Sequence, residues 1–215
     1  FSRRELRISL LDARAGSPAT AAEILRRNHV SKSVEELRLL LHDWEVWCAD
    51  ILESHLSYPV LAYYRSQHEA QSWLEALTAV LDTCALILTG MEGVQVGTAK
   101  FTFAIARHAV VDLAQVFGTS PTPGVNRLPS DEFARLHDVL ASSGIHLKEG
   151  MATEQKLAEL RETYEPFVSA LADFLLVTLP PWLPPADSPD DWQTSAWDDL
   201  FPSARQTLIH VMHRE

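Results

Sequence analysis

The chain has 215 residues, of which 47% are hydrophobic and 22% are charged, and its formal net charge is −11. This composition is typical of a globular protein with one sizeable core, and the acidic balance argues against a nucleic-acid partner. Apolar residues recur mostly at helical spacing, and only 8 glycines are present, which argues against an all-β or doubly wound fold.

Residues 1–16 form a basic leading segment. Within residues 1–30, six arginines and three carboxylates give a charge of +3, which is typical of a juxtamembrane stretch. The alternative is a solvated chain end with a chance cluster of arginines. Because the chain starts at Phe1 rather than Met, we expect that a further segment precedes it. No apolar run is long enough to span a bilayer, and no signal peptide is recognisable.

Several helices are predicted before Gly90. Ser17-Pro18 is typical of a helix start and predicts a short helix to about Asn28. The capping box of Ser33 and Glu36 opens a long amphipathic helix that ends before Pro59. A short helical segment at 63–68 and a strongly apolar helix at about 71–89 follow. The aromatic residues of this half fall at core spacing, and both cysteines are expected to be buried and reduced. These residues are Trp44, Trp47, Tyr63, Tyr64, Trp73, Cys48 and Cys84.

Three more helices are predicted in the second half. One spans about residues 95–117 and is apolar nearly all round, and a Pro- and Gly-rich loop follows it at 118–129. The next helix starts at Ser130 and ends near Gly144. Thr153 then caps a last long helix to Leu179, kinked or offset at Pro166. Residues 186–215 form an acidic, partly irregular tail, next to a proline cluster, that packs on the bundle or on a partner.

These elements predict an all-α fold: a single bundle of about six to eight helices over residues 17–185. A bundle interior tolerates charged groups only if they are paired or line a cavity. The polar side chains in apolar helical context are Glu53, His55, Arg65, His68, Glu69, Asp82, Arg107, His108 and Asp112.

A subset of these residues forms the candidate ligand site. Helical spacing places His108 and Asp112 on one face, and Arg65 and His68 on another. If the two faces meet, they form a site for a small anion contacted by Arg65, His68, Arg107 and His108, with Asp112 beside them. The alternative is a set of structural pairs, in which Asp112 orients His108 and Arg65 pairs with Glu69.

Metal and nucleophilic chemistry find little support in the sequence. The Glu-x-x-His pairs of helical di-metal proteins and the Cys/His spacings of zinc sites are absent, and so are a Gly-x-Ser-x-Gly elbow and a nucleotide-binding glycine loop. We therefore expect no cofactor, no metal and no catalytic residue.

Three runs of sequence carry a resemblance to a known family. They are ISLLDARAGSPATAAEILRR at 8–27, LESHLSYPVLAYYRSQHEAQSW at 52–73 and FAIARHAVVDLAQVF at 103–117. They resemble the cytoplasmic C-terminal region of bacterial two-transmembrane ion channels of the potassium-channel class.

The resemblance implies a regulatory or assembly domain on the cytoplasmic side of the cell membrane. Such a domain would follow its own transmembrane pore segment, which these 215 residues do not include, and would bias gating or homo-oligomerisation. The resemblance assigns no catalytic or binding role to any residue. The alternative is a free-standing cytosolic helical enzyme or small-anion-binding protein that uses the Arg/His/Asp cluster.

Overall fold

The computed structural model describes residues 2–16, 18–30, 34–64, 72–91, 96–148 and 150–185. Within these residues the fold is all-α, as predicted, with eight α-helices and one short 3₁₀ turn, Pro59–Tyr63. The helices are α1 Ser2–Ala15, α2 Ala21–Val30, α3 Val34–Ser57, α4 Trp73–Gly90, α5 Val96–Val116, α6 Ser130–Ser142, α7 Met151–Glu162 and α8 Glu165–Leu175.

Helix α4 is the centre of the bundle. Fifteen of its 18 residues are buried, and α1, α2, α5, α7 and α8 all pack against it. Its N-terminus is held by a capping box, in which Ser72 Oγ accepts from Glu75 N and Glu75 Oε2 accepts from Ser72 N. Among the described residues α4 alone has the length and apolar character of a membrane span, so the expectation that no apolar run reaches that length was wrong. In the structure 83% of this helix is buried inside the protein, as expected of a core helix.

Helix α3 lies along α5 and completes the core on one side. The indoles of Trp44 and Trp47 and the thiols of Cys48 and Cys84 are buried, as predicted. The Thr102 hydroxyl on α5 donates to the carbonyl of Leu41 on α3 at 2.9 Å, which fixes the two helices in register. Tyr63 and Tyr64 are 56% and 54% exposed, so their prediction as core residues was wrong.

Two predicted helices have different limits in the structure. Helix α2 begins at Ala21 rather than near Pro18, because the Thr20 hydroxyl caps it by accepting from Glu23 N. The predicted long helix from Thr153 to Leu179, kinked or offset at Pro166, is two separate helices, α7 and α8, with a turn at Thr163 and Tyr164, so an interruption close to Pro166 is confirmed. Pro166 causes the break, since a proline ring fits the first turn of a helix but not its interior.

Helix α1 occupies most of the basic leading segment and is part of the core. Ile8 and Leu11 are 1% and 0% exposed. After α8 the chain runs without helix to residue 185 and buries Trp182 and Leu183. Ser33 of the predicted capping box, the segment 65–71 and the acidic tail at 186–215 lie outside the described residues.

The junction after α4 depends on a glycine. Gly90 has a φ of +137°, and a Cβ built there would lie 2.9 Å from Lys148 Cδ, whereas Gly97 has ordinary helical backbone and open space around it. We expect Gly90→Ala to lower the free energy of unfolding by about 1–3 kcal/mol. The matched control Gly97→Ala should raise it by up to about 1 kcal/mol. Urea unfolding measures both, and equal effects would contradict this assignment.

Candidate functional site

A buried ionic network crosses the bundle between α4 and α8. Asp82 on α4 is completely buried and accepts two hydrogen bonds from the guanidinium of Arg127, at 3.0 and 2.8 Å. The Tyr164 hydroxyl donates to the same carboxylate at 2.5 Å. Asp82 is a carboxylate in an otherwise apolar helix, and it is both paired with a cation and hydrogen-bonded, as burial of a charge requires.

A second pair extends the network towards the surface. Arg161 donates to both oxygens of Glu165, at 3.0 and 3.1 Å, and also to Asn126 Oδ1 at 2.7 Å. Arg127 lies 3.6 Å from Glu165 Oε1, which joins the two pairs. Two guanidinium groups balance two carboxylates, so the network has no net charge when all four are ionised.

The local environment shifts the pKa values of three groups in the network. Burial disfavours the charge on Arg127, but the attraction of Asp82 outweighs it, so the pKa of Arg127 is raised. Burial, together with the charge of Asp82, raises the pKa of the Tyr164 phenol well above its usual value and keeps it a hydrogen-bond donor. Burial also raises the pKa of Glu165, and the bonds from Arg161 only partly oppose it.

The segment after α8 closes over the network. Trp182 is completely buried, and its ring lies 5.9 Å from the guanidinium carbon of Arg127 and 5.7 Å from that of Arg161. Arg127 also donates to the carbonyl of Pro180 at 2.6 Å. Since the carbonyl of Trp182 accepts from Ala22 N, this segment ties the network to the start of α2.

A cleft of about 540 Å³ opens beside the network, between the start of α6 and α7. Phe133, Met151 and Leu157 supply apolar surface, and Arg161 and Glu165 form its polar floor. Glu154 and Glu162 also line it, so three carboxylates face one guanidinium. This charge distribution disfavours a small anion, and the cleft suits an apolar or cationic group better.

The predicted ligand residues lie elsewhere. Arg107 and His108 are exposed on the outer face of α5, and His108 Nε2 lies 3.1 Å from Asp112 Oδ2. Spacing thus predicted this pair correctly. Arg65 and His68 lie outside the described residues, so the structure does not show whether they meet Arg107 and His108. No group of three potential metal ligands is found in the part of the chain that the structure describes.

A second buried polar cluster joins α1 to the end of α3. Arg4, which is 6% exposed, donates to the carbonyls of Leu61 and Tyr64 at 2.8 and 2.6 Å. His55 Nδ1 lies 2.8 Å from the carbonyl of Ile51. Because a carbonyl only accepts, Nδ1 carries the proton, and Nε2 is an acceptor 3.5 Å from Arg4 Nη1.

The environment keeps His55 neutral. Burial lowers the pKa of this imidazole to about 4, and the positive charge of Arg4 also lowers it. The positive charge of Arg4 is paired with Glu5, whose Oε1 accepts from Arg4 Nε at 3.0 Å, and the carbonyls of Leu61 and Tyr64 accept the other hydrogen bonds of the guanidinium. This arrangement fixes helix α1 to the 3₁₀ turn.

Sequence reasoning found part of both clusters. Asp82 and His55 stand out as polar groups in apolar helices, but Arg127, Arg161, Glu165 and Arg4 were missed. Arg127 lies in a proline-rich loop without periodicity, and Arg4 in a segment interpreted as a solvated lead. The sequence did indicate that Asp82, as a buried carboxylate, needs a cationic partner. It does not indicate which of the many arginines is that partner.

Comparison with known proteins finds no matching family model, and no curated protein or solved structure with significant similarity to the chain.

Proposed function

We propose that this chain is the regulatory or assembly domain of a bacterial ion channel of the potassium-channel class. It lies on the cytoplasmic side of the membrane, behind its own transmembrane pore segment, and biases gating or oligomerisation of the full-length protein. The three runs of resemblance at 8–27, 52–73 and 103–117 support the family assignment.

One structural observation carries the mechanistic part of the proposal: α1 is built into the bundle. Arg4 bonds to carbonyls that lie 57 and 60 residues further along the chain, and Ile8 and Leu11 are buried. Helix α1, which carries the start of the first run, is thereby fixed to the 3₁₀ turn in the second run.

This attachment couples α1 to the bundle energetically. A displacement of α1 by a preceding pore helix would break charge-assisted hydrogen bonds and expose apolar side chains, both of which cost free energy. By reciprocity, a ligand or a neighbouring copy that prefers one position of α1 shifts the pore equilibrium by its difference in affinity for the two positions. The domain needs no catalytic chemistry for this role.

The proposal is tested on the complete reading frame. We expect the coding sequence before Phe1 to encode two hydrophobic spans with a selectivity filter between them. Potassium or rubidium flux through the full-length protein in lipid vesicles is then compared with flux through a version that ends at Gly16. We expect removal of residues 17–215 to change the open fraction and leave ion selectivity unchanged. A reading frame without hydrophobic spans, or identical flux from both versions, would contradict the proposal.

A further inference from the structure

The 3₁₀ turn and the end of α8 expose a patch of large apolar side chains. The ring of Tyr63 lies 5.9 Å from that of Phe174. Val60 precedes Tyr63 by one turn of 3₁₀ helix, so the two side chains share one face. Tyr64 and Leu176 line the same groove of about 320 Å³ as Tyr63 and Phe174. We call these five side chains the aromatic patch.

The members of the aromatic patch are exposed and uncharged. Val60, Tyr63 and Tyr64 are 57%, 56% and 54% exposed, and Phe174 and Leu176 are 41% and 78% exposed. A tyrosine side chain combines an apolar ring with a polar hydroxyl tip, and it is enriched where lipid meets water. The composition of the patch therefore fits the headgroup region of a bilayer.

Leu176 is held in an unfavourable backbone conformation. Its φ of 55° and ψ of 47° lie in the left-handed region, where glycine or asparagine is the usual residue at the end of a helix. Leu176 is also the most exposed member of the aromatic patch, so burial of its side chain contributes little to folding. Backbone strain that folding does not explain points to a function, here the display of an apolar side chain to an external surface.

The aromatic patch lies at the end of the bundle where α1 begins. Arg4, in the first turn of α1, donates to the carbonyl of Leu61 in the 3₁₀ turn at 2.8 Å. The ends of α5 and α8 reach the same turn, because the rings of Phe117 and Phe174 both contact Tyr63. In the proposed function the pore segment precedes α1, so this end of the bundle faces the membrane.

We propose that the aromatic patch inserts into the headgroup region of a phospholipid bilayer. The tyrosine hydroxyls lie among the headgroups, and Val60, Phe174 and Leu176 reach the start of the acyl chains. Helix α1, whose four arginines and two carboxylates give a net charge of +2, begins beside the patch and adds attraction to anionic lipids. This inference deepens the proposed function, on which the orientation of the bundle rests, by naming a lipid surface as a partner of the domain.

Flotation of the 215-residue chain with vesicles of phosphatidylethanolamine and phosphatidylglycerol tests this contact. The chain should bind at lipid concentrations on the order of 1 mM, and binding by apolar insertion should persist in about 1 M salt. Leu176→Asn should weaken binding about fivefold or more, because it removes inserted methyl groups. The same change should keep or raise the melting temperature, since asparagine tolerates the left-handed backbone.

Two further variants make the test specific. Val60→Ser should weaken vesicle binding to a similar extent and keeps the test decisive if Leu176→Asn folds poorly. The matched control Phe101→Ser removes a ring that is 63% exposed near the start of α5, at the other end of that helix from Phe117. This control should bind vesicles as the wild-type chain does.

Each other outcome overturns the inference. A wild-type chain that does not float with the vesicles excludes a lipid partner for the aromatic patch. Binding that Leu176→Asn and Val60→Ser leave unchanged, or that high salt abolishes, places the lipid contact on charged residues elsewhere. Equal weakening by Phe101→Ser rejects the patch as the site of insertion. Because flotation needs no pore segment, its failure is distinct from a reading frame without hydrophobic spans, which contradicts the proposed channel instead.

Discussion

Replacing Asp82 with alanine is expected to lower the free energy of unfolding by about 3–5 kcal/mol, the usual cost of leaving a buried charge without its partner. The change would strand the guanidinium of Arg127, which donates to Asp82 at 3.0 and 2.8 Å, and would remove the acceptor of the Tyr164 hydroxyl. Urea unfolding followed by circular dichroism measures the effect.

A double-mutant cycle separates the ion pair from general packing. In Asp82→Leu with Arg127→Met, neither charge remains, so the double variant should be more stable than the less stable of the two single variants. Additive losses would show that the two residues do not interact. The matched control Asp112→Ala breaks the pair with His108, whose side chains are 31% and 60% exposed, and should cost less than about 1 kcal/mol.

Replacing His55 with glutamine is expected to change how stability depends on pH. The pKa of His55 is lowered to about 4 by burial, against about 6.5 in an unfolded chain. As the pH falls from 6.5 to 4, the unfolded chain takes up a proton that the folded chain does not, so His55 lowers stability by on the order of 3 kcal/mol. His55→Gln removes this loss.

Glu75 acts in the opposite direction in the same pH range. Burial raises the pKa of its carboxyl to about 7, so between pH 7 and 4.5 the folded chain binds more protons, and stability rises as the pH falls. The two effects largely cancel in the wild-type chain. Acidification should therefore stabilise His55→Gln relative to wild type and destabilise Glu75→Gln, which retains the capping box.

Guanidinium unfolding between pH 4 and 7 measures these differences. Other carboxylates with shifted pKa values, Glu23 and Glu165, are present in all three proteins and cancel in the differences. Parallel stability curves for wild type and His55→Gln would show that His55 titrates normally and that its contacts with Arg4 and Ile51 do not persist in solution.

The sequence predicted the fold well wherever helical periodicity was strong. The limits of α3, α4, α5 and α6 follow from apolar stripes, from Pro59 and Gly90, and from the restart at Ser130. The limits of α2 and of α7 and α8 were less accurate. The start of α2 depends on the Thr20 cap, and the break between α7 and α8 is a turn at Thr163, three residues before Pro166. The spacing of apolar residues does not indicate where such local contacts end a helix.

The polar clusters were only half predictable. A carboxylate such as Asp82, placed among leucines, signals that a cation lies near it, because an unpaired buried charge is too costly. The identity of that cation depends on how a loop without periodicity crosses the bundle. Arg127 was therefore identified only from the structure. Arg4 shows the reverse case, since an arginine near a chain end resembles solvated charge until its carbonyl partners, some sixty residues away, are known.

The most direct test of the proposed coupling is ion flux through the full-length protein carrying Arg4→Gln. Arg4 fixes α1 to the 3₁₀ turn, whereas the matched control Arg38→Gln changes an exposed arginine on α3. If α1 transmits bias between the pore and the bundle, Arg4→Gln should shift the open fraction about fivefold or more with selectivity unchanged, and Arg38→Gln should behave as wild type. Equal flux from both variants, with the domain folded in each, would contradict the account.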